Sequence, residues 1–318
     1  MPAISGSAPG KIILFGEHAV VYGKPAIAVP VSEVKARAMI TPDILGSPGG
    51  IQITAPDIQI DSPLAELPLN DAIAKAVSGT LELLDITAPP AFKLRVTSTI
   101  PLAAGLGSGA AVSVAVSRAV AGFLGVSLSS AQISEIAFEV EKIHHGTPSG
   151  IDNTVIAHEQ PVYFVKGQAI ESFDVHNPFT IVIADTGVKS STAVSVGDVR
   201  AAWEANQDKY ERIFNEIGDI SRQARQHIES GVPEKMGELM DANHELLSQM
   251  GVSSPELDSL TKAARTAGAL GAKLSGGGRG GNMIALVTKN MAALVEQALL
   301  TAGAINTIIT TVANQGVR

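Results

Sequence analysis

The chain has no cysteine among its 318 residues. Disulfides, thiolate metal sites and cysteine nucleophiles are therefore excluded. Charged residues are scarce at 17%, against 45% hydrophobic ones, which excludes a disordered chain and predicts a globular one. Basic residues are outnumbered, with a net charge of −8 and no long basic run. An extended electrostatic surface for nucleic acid is not expected, while a local basic pocket is compatible with these counts. No uninterrupted apolar stretch reaches membrane-spanning length, and abundant alanine and glycine account for the apolar composition. The start, Met1-Pro2-Ala3-Ile4-Ser5-Gly6-Ser7, has no basic segment followed by an apolar run, so a signal peptide is not expected and a cytoplasmic location is. The length suggests about two domains.

The patterning is mixed α/β. Lys11 to Phe15 is an apolar run ending at Gly16, the mark of a buried strand. Val34, Ala36, Ala38 and Ile40 alternate with Lys35, Arg37 and Met39, which predicts a strand with one buried face. Ile51-Gln52-Ile53 and Ile58-Gln59-Ile60 flank Pro56-Asp57 and predict a hairpin. Asn70 is the predicted cap of a helix with Ile73, Val77, Leu81 and Leu84 on its apolar face. Phe92, Leu94 and Val96 form a strand that leads into a glycine-rich loop, and a small-residue helix follows from about Ser108. A further helix is predicted over 133–143 and a hairpin around Lys166-Gly167. Asn177-Pro178 punctuates the chain and sets the expected domains at 1–177 and 178–318. Beyond it lie a strand at 181–184, polar-faced helices across 196–230 and 234–250, a strand at 283–287, a helix at 291–300 and a strand at 305–312.

The chemistry concentrates in three places. In Pro101-Leu102-Ala103-Ala104-Gly105-Leu106-Gly107-Ser108-Gly109-Ala110-Ala111, glycines allow close approach of the backbone to a ligand. The helix that follows turns free N–H groups and its positive end to the same spot, a seat for phosphate. A glycine turn with no ligand is the plainer alternative. In Pro9-Gly10-Lys11-Ile12-Ile13-Leu14-Phe15-Gly16-Glu17-His18, a lysine leads a buried strand and a Glu-His pair follows it. Read plainly, these are a solvated lysine and a capped turn. The third place runs from Glu141 through His144-His145 to Ser149-Gly150-Ile151-Asp152-Asn153, with a carboxylate ending a helix and another in a turn. Zinc is not expected: adjacent histidines point apart on a helix and no third ligand follows at zinc spacing. Asp152 as a mere turn residue is the plain reading. Taken together, a phosphate loop, a lysine and two separated carboxylates are the parts that phosphoryl transfer needs.

With these motifs the chain resembles the GHMP small-molecule kinases, and within them the mevalonate kinases. The carriers are the run from Pro9 to Gly23, Gly-Leu-Gly-Ser-Gly-Ala-Ala from Gly105, Pro-Ser-Gly-Ile-Asp-Asn-Thr-Val from Pro148 and Lys-Leu-Ser-Gly-Gly-Gly-Arg-Gly-Gly from Lys273. Asn243-His244-Glu245-Leu246-Leu247 also matches the family's C-terminal helical region. The resemblance implies a two-domain fold with a ferredoxin-like C-terminal domain and an active site in the cleft between the domains, closing on substrate. It implies transfer of a phosphoryl group from ATP to the primary hydroxyl of (R)-mevalonate with Mg²⁺. Asp152 and Lys11 would be catalytic, and residues 101–111 would wrap the ATP phosphates. Glu17 and His18 would line the mevalonate pocket, and Ser275, grouped with them as a substrate-side residue, would with the glycines after it support the nucleotide-side loop from the second domain. Glu141 and Ser108 would hold the metal. The expected partners are mevalonate and ATP, with no nucleic acid and no membrane, and a homodimer is left open. Where many relatives carry a second loop serine this chain has Gly109, so Ser108 or a water takes that place. Arg279 interrupts a glycine run and either touches phosphate or faces solvent. Another kinase of the family, acting on phosphomevalonate, a sugar or homoserine, is the nearest alternative. A decarboxylase of related fold and a silent binding protein are further ones.

Overall fold

The alternation expected along 34–40 is observed: Val34, Ala36, Ala38 and Ile40 are buried, and Arg37 and Met39 face out. The strand is longer than that pattern because residues 26–31 ahead of it are buried on both faces, where alternation disappears. The computed structural model describes residues 3–101, 105–145 and 148–314.

The elements follow in chain order. The first part comprises β1 (Ile4–Phe15), a 3-10 turn at Ala19–Tyr22, β2 (Ala26–Pro42), β3 (Ile51–Ala55) and β4 (Ile60–Pro63). Next come α1 (Ala72–Leu83), β5 (Phe92–Ser98), α2 (Ser108–Phe123), α3 (Ser130–His145) and α4 (Ile151–His158). Then come β6 (Val162–Phe164), β7 (Glu171–Ser172), β8 (Phe179–Asp185), α5 (Thr192–Ala205), α6 (Gln207–Glu229), α7 (Met236–Gln249) and α8 (Pro255–Thr266). The last are β9 (Gly271–Leu274), β10 (Asn282–Val287), α9 (Ala292–Thr301) and β11 (Asn306–Val312). The chain forms two compact units, one of residues 1–11, 34–102 and 106–159, the other of residues 12–33, 103–105 and 160–318.

In the first unit the strands lie in the order β4-β3-β5-β2, with β3 parallel to β5 and the other pairs antiparallel. The cap of α1 is Asp71, not Asn70: Oδ1 of Asp71 accepts the N–H groups of Ile73 and Ala74, each at 2.9 Å. Helix α2 comes very close to β1. A Cβ at Gly6 would lie 2.2 Å from the carbonyl oxygen of Ala115 and 2.6 Å from the nitrogen of Ala119. That approach explains the small buried residues of α2, among them Ser113, Ala115, Ser117 and Ala119. Val114, Val116 and Val120 supply its apolar burial, about 1.5–3 kcal/mol each. Arg118 on the same helix donates to the carbonyls of Ser7 and Ala157 at 2.7 and 2.8 Å and pairs with Glu159 at 2.6 Å. It thereby satisfies an otherwise open carbonyl in the last turn of α4.

In the second unit, β6 and β7 continue from the Ala26–Ala28 stretch of β2. A separate four-stranded sheet has the order β11-β8-β10-β9, all antiparallel. This is the strand order of the split β-α-β arrangement, here with α5 to α8 inserted between its first two strands. Among the described residues no helix is long and apolar enough to cross a membrane.

Candidate active site

Lys11 is buried within β1, and its Nζ lies 2.9 Å from Oδ1 of Asp152. The plain reading of a solvated lysine fails here, since its side chain is only 9% exposed. Asp152 is not in a turn: it occupies the first turn of α4, which Gly150 opens at φ 85°. A carboxylate there is favoured by the positive end of the helix. Glu141, near the end of α3, is buried, and its pKa is pushed up to about 8. Burial is the main cause, the charge of Asp152 adds to it, and Lys11 works against it. The first unit therefore brings a lysine and two carboxylates of unlike environment within electrostatic reach.

The glycine loop meets the same lysine. Gly107 takes a left-handed φ of 72° at the start of α2, and a Cβ there would lie 2.9 Å from Cγ of Lys11 and from Cδ1 of Ile156. The N–H of Lys11 donates to the carbonyl of Leu106 at 2.9 Å, fixing the loop to β1. The first helical bond of α2 runs from the N–H of Ala111 to Gly107, and no side chain among the described residues caps this end. The N–H groups of Ser108, Gly109 and Ala110 are thus without helical partners, as an anion seat requires. Pro101 precedes the loop and Gly105 is left-handed within it, at φ 71°. Leu102, Ala103 and Ala104 lie outside the described residues.

In the second unit, Glu17 and His18 follow β1. Glu17 is no capped turn residue: its Oε1 pairs with the Nζ of Lys273 on β9, both side chains being almost wholly buried. Burial drives the Glu17 carboxyl up and the Lys273 ammonium down, and the pairing resists both shifts. Removing one member of such a pair costs about 3–5 kcal/mol, because a charge is left buried alone. His18 has a positive φ of 60°, and its Nε2 lies 3.0 Å from the carbonyl oxygen of Gly277. Since a carbonyl only accepts, Nε2 carries the proton and Nδ1 is the acceptor. Burial holds the His18 pKa below its usual value, so the ring is neutral. Oε2 of Glu17 and Nδ1 of His18 are both buried without a hydrogen-bond partner among the described residues. Ser275 Oγ donates to the carbonyl of Ile13 at 2.7 Å. Arg279, at φ 59°, pairs with Asp198 and donates to the carbonyl of Gly251.

Lys273 opens the last of the motifs that carry the resemblance, which assigns it no role. Its signal was a charged residue in a short run of buried strand, Gly271–Leu274.

Residues 72–159 match the family described as GHMP kinases N terminal domain, and residues 224–305 match GHMP kinases C terminal. The mevalonate kinase of Pyrococcus horikoshii is 38% identical over 99% of this chain and 97% of its own length. That of Pyrococcus abyssi is 37% identical with the same coverage. The chain belongs to the GHMP kinases, on the mevalonate kinase branch. Among solved structures, the L. major mevalonate kinase in complex with R-mevalonate superposes on this GHMP kinase with a TM-score of 0.83. The two are 31% identical, with 99% of this chain and 97% of that one covered. Helix α2, Glu141 and Asp152 fall within the N-terminal match, and Lys11 precedes it in the chain.

Proposed function

We propose that this GHMP kinase transfers the γ-phosphoryl group of ATP to the primary hydroxyl of (R)-mevalonate, giving 5-phosphomevalonate and ADP. The observation that carries this reading is the pair of buried Lys11 and half-buried Asp152 at 2.9 Å, in a chain of the mevalonate kinase branch. Asp152 accepts or orients the proton of the attacking hydroxyl. The new bond joins that oxygen to the γ-phosphorus, the bond from the γ-phosphorus to the bridging oxygen breaks, and ADP leaves. Lys11 lowers the hydroxyl's pKa and stabilises the developing negative charge. The free N–H groups of Ser108, Gly109 and Ala110 receive phosphate oxygens. Glu17 Oε2 and His18 Nδ1, two buried acceptors with open valences, suit hydroxyl donors of the substrate. Ser275 acts indirectly by pinning the loop after β9 to β1.

The donor set suits Mg²⁺. Among the described residues no group of three or more acidic or histidine side chains is assembled. Mg²⁺ commonly binds through one or two carboxylates and completes its shell with phosphates and water. Glu141, raised to about 8 by burial and by a neighbouring carboxylate, is a group that a cation would relieve. Glu141 and Ser108 are the proposed holders. When bound, the ion neutralises phosphate charge and helps the ADP leave. Residues 178–318 are proposed as a ferredoxin-like domain, on the strand order β11-β8-β10-β9, and residues 1–177 as the domain with the phosphate loop.

The test is a mass-spectrometric identification of the product from purified protein, ATP, Mg²⁺ and (R)-mevalonate. The expected product is 5-phosphomevalonate, with no CO₂ released. Inert mevalonate beside turnover of galactose, homoserine or phosphomevalonate would move the substrate assignment elsewhere in the family.

A further inference from the structure

Glu141 and Asp152 stand on different helices, α3 and α4, so their separation depends on how those helices are pinned. A polar chain joins the two. Asn153, directly after Asp152 and only 4% exposed, donates through Nδ2 to the carbonyl of Ser134 at 3.0 Å and to its hydroxyl at 2.8 Å. The hydroxyl of Thr154 donates to the carbonyl of Gly150 at 2.7 Å, which uses its single proton. The Ser134 hydroxyl, 3.4 Å from Thr154 Oγ1, is therefore the donor between them. The bonds run one way, from the Asn153 amide through Ser134 and Thr154 to Gly150, the residue that opens α4. Networks with one donor direction are cooperative and hold a single arrangement.

Ser134 lies two helical turns before Glu141, on the same side of α3. The neighbouring buried residues of the two helices are mostly apolar, Ala137 and Val140 on one and Ile151, Val155 and Ile156 on the other. Apolar surfaces alone tolerate sliding, whereas these hydrogen bonds exist in one register. Oδ1 of Asn153 is buried and has no partner among the described residues. An orphaned acceptor works against stability, and a leucine here would have none.

We propose that Asn153 and Ser134 are positioning residues, holding α4 against α3 in the register that sets the Glu141 and Asp152 carboxylates for phosphoryl transfer. The inference rests on the kinase reading above. Neither residue touches the reacting atoms.

The experiment starts with the wild-type protein, ATP, Mg²⁺ and (R)-mevalonate. Absence of turnover there counts against the kinase reading, and the clamp is then judged from binding alone: the rise in melting temperature given by Mg²⁺ with ADP over ADP alone. Asn153→Leu is expected to lower kcat by ~10-fold or more, since small misplacements of reacting groups are costly. It should also raise the Mg²⁺ concentration for half-maximal rate and shrink the Mg²⁺-dependent melting shift, with the KM for mevalonate little changed. Ser134→Ala should move the same readouts less, and Ser134→Thr should restore them. If Asn153→Leu fails to fold, the two Ser134 variants decide. Lower melting temperatures with kcat, Mg²⁺ activation and the Mg²⁺-dependent shift all at wild-type values would overturn the proposal and leave the clamp a structural one.

Discussion

Asp152 and Gly109 make opposite demands on a substitution. Asp152 faces Lys11 at 2.9 Å and is partly open to solvent, at 28% side-chain exposure. Asp152→Asn keeps the size and removes the proton acceptor, so kcat should fall by ~10²-fold or more, with little change in KM for ATP. A near-normal kcat would reduce Asp152 to a residue that holds the end of α4. Gly109 is exposed within α2, has no left-handed φ, and has no neighbouring heavy atom within 4 Å of where a Cβ would stand. Serine there is unstrained and supplies a second loop hydroxyl beside that of Ser108. Serine also has a higher helix propensity than glycine, by a few tenths of a kcal/mol. Gly109→Ser should therefore keep or slightly raise the melting temperature and lower the Mg²⁺ concentration needed for half-maximal rate. Unchanged Mg²⁺ activation with intact stability would place this position outside the reach of the metal.

At the scale of the element, α2 shows how backbone geometry serves a ligand seat. Gly107→Ala meets two obstacles at once, a φ of 72° and a Cβ 2.9 Å from the side chains of Ile156 and Lys11. A non-glycine residue held there costs about 1–3 kcal/mol. The variant should melt several degrees lower and show a raised KM for ATP, whereas Gly109→Ala, two residues on, should melt like wild type. The helix itself was legible: small residues from Ser108 onward, with glycines ahead of them, predicted α2. The hairpin of β3 and β4 and the strands β8, β10 and β11 were equally legible, because turn residues and apolar runs bounded them. Helix α4 was not. Its sequence, Ile151 to His158, is rich in β-branched residues and carries Asp, Asn and Thr, which favour strands, caps and turns. Packing of Ile151, Val155 and Ile156 in the core overrides that preference. Lys11, Asp152 and Glu141 stood out in the sequence as candidates, and the structure adds the Lys11–Asp152 pairing and the burial of Glu141. Lys273, Asn153 and Ser134 did not, since their roles depend on partners 256, 19 and 19 residues away.

For the whole molecule, the buried titratable groups divide into two opposed sets, and stability should peak between them. His18, His158 and His244 all have pKa values held below the usual 6.5, burial being the first cause in each. In His244 the geometry agrees: Nδ1 accepts the N–H of Leu274 at 3.3 Å, so a proton there would break that bond. As pH falls through 6.5 the unfolded chain protonates these rings before the folded one does, and stability is lost. Glu141 acts the other way. Its folded pKa of about 8 stands above the ordinary 4.5, so between those values the folded state binds the extra proton and gains stability as pH falls. Glu17, raised by burial, works in the same direction against its pairing with Lys273. From pH 8 to 6.5 the carboxyl effect leads, worth at most about 2 kcal/mol for Glu141, and Lys273, whose ammonium burial drives down, works against it. Below 6.5 the three histidines oppose it. Without Mg²⁺ the melting temperature should therefore climb by a few degrees as pH falls from 8 to about 6.5, then decline toward pH 5. Glu141→Gln should flatten most of the alkaline limb and leave the acid limb in place. A bound cation favours the charged carboxylate, so Mg²⁺ with ADP should also flatten that limb in the wild type. In turnover, the Mg²⁺ concentration for half-maximal rate should rise as pH is lowered from 8, because protonated Glu141 must give up its proton to bind metal. Melting curves from pH 5 to 8.5 at constant ionic strength, with and without Mg²⁺ and ADP, check the signs. A melting temperature that keeps rising up to pH 8 in the absence of Mg²⁺ would mean that Glu141 is ionised in the folded protein, its charge already balanced by Lys11.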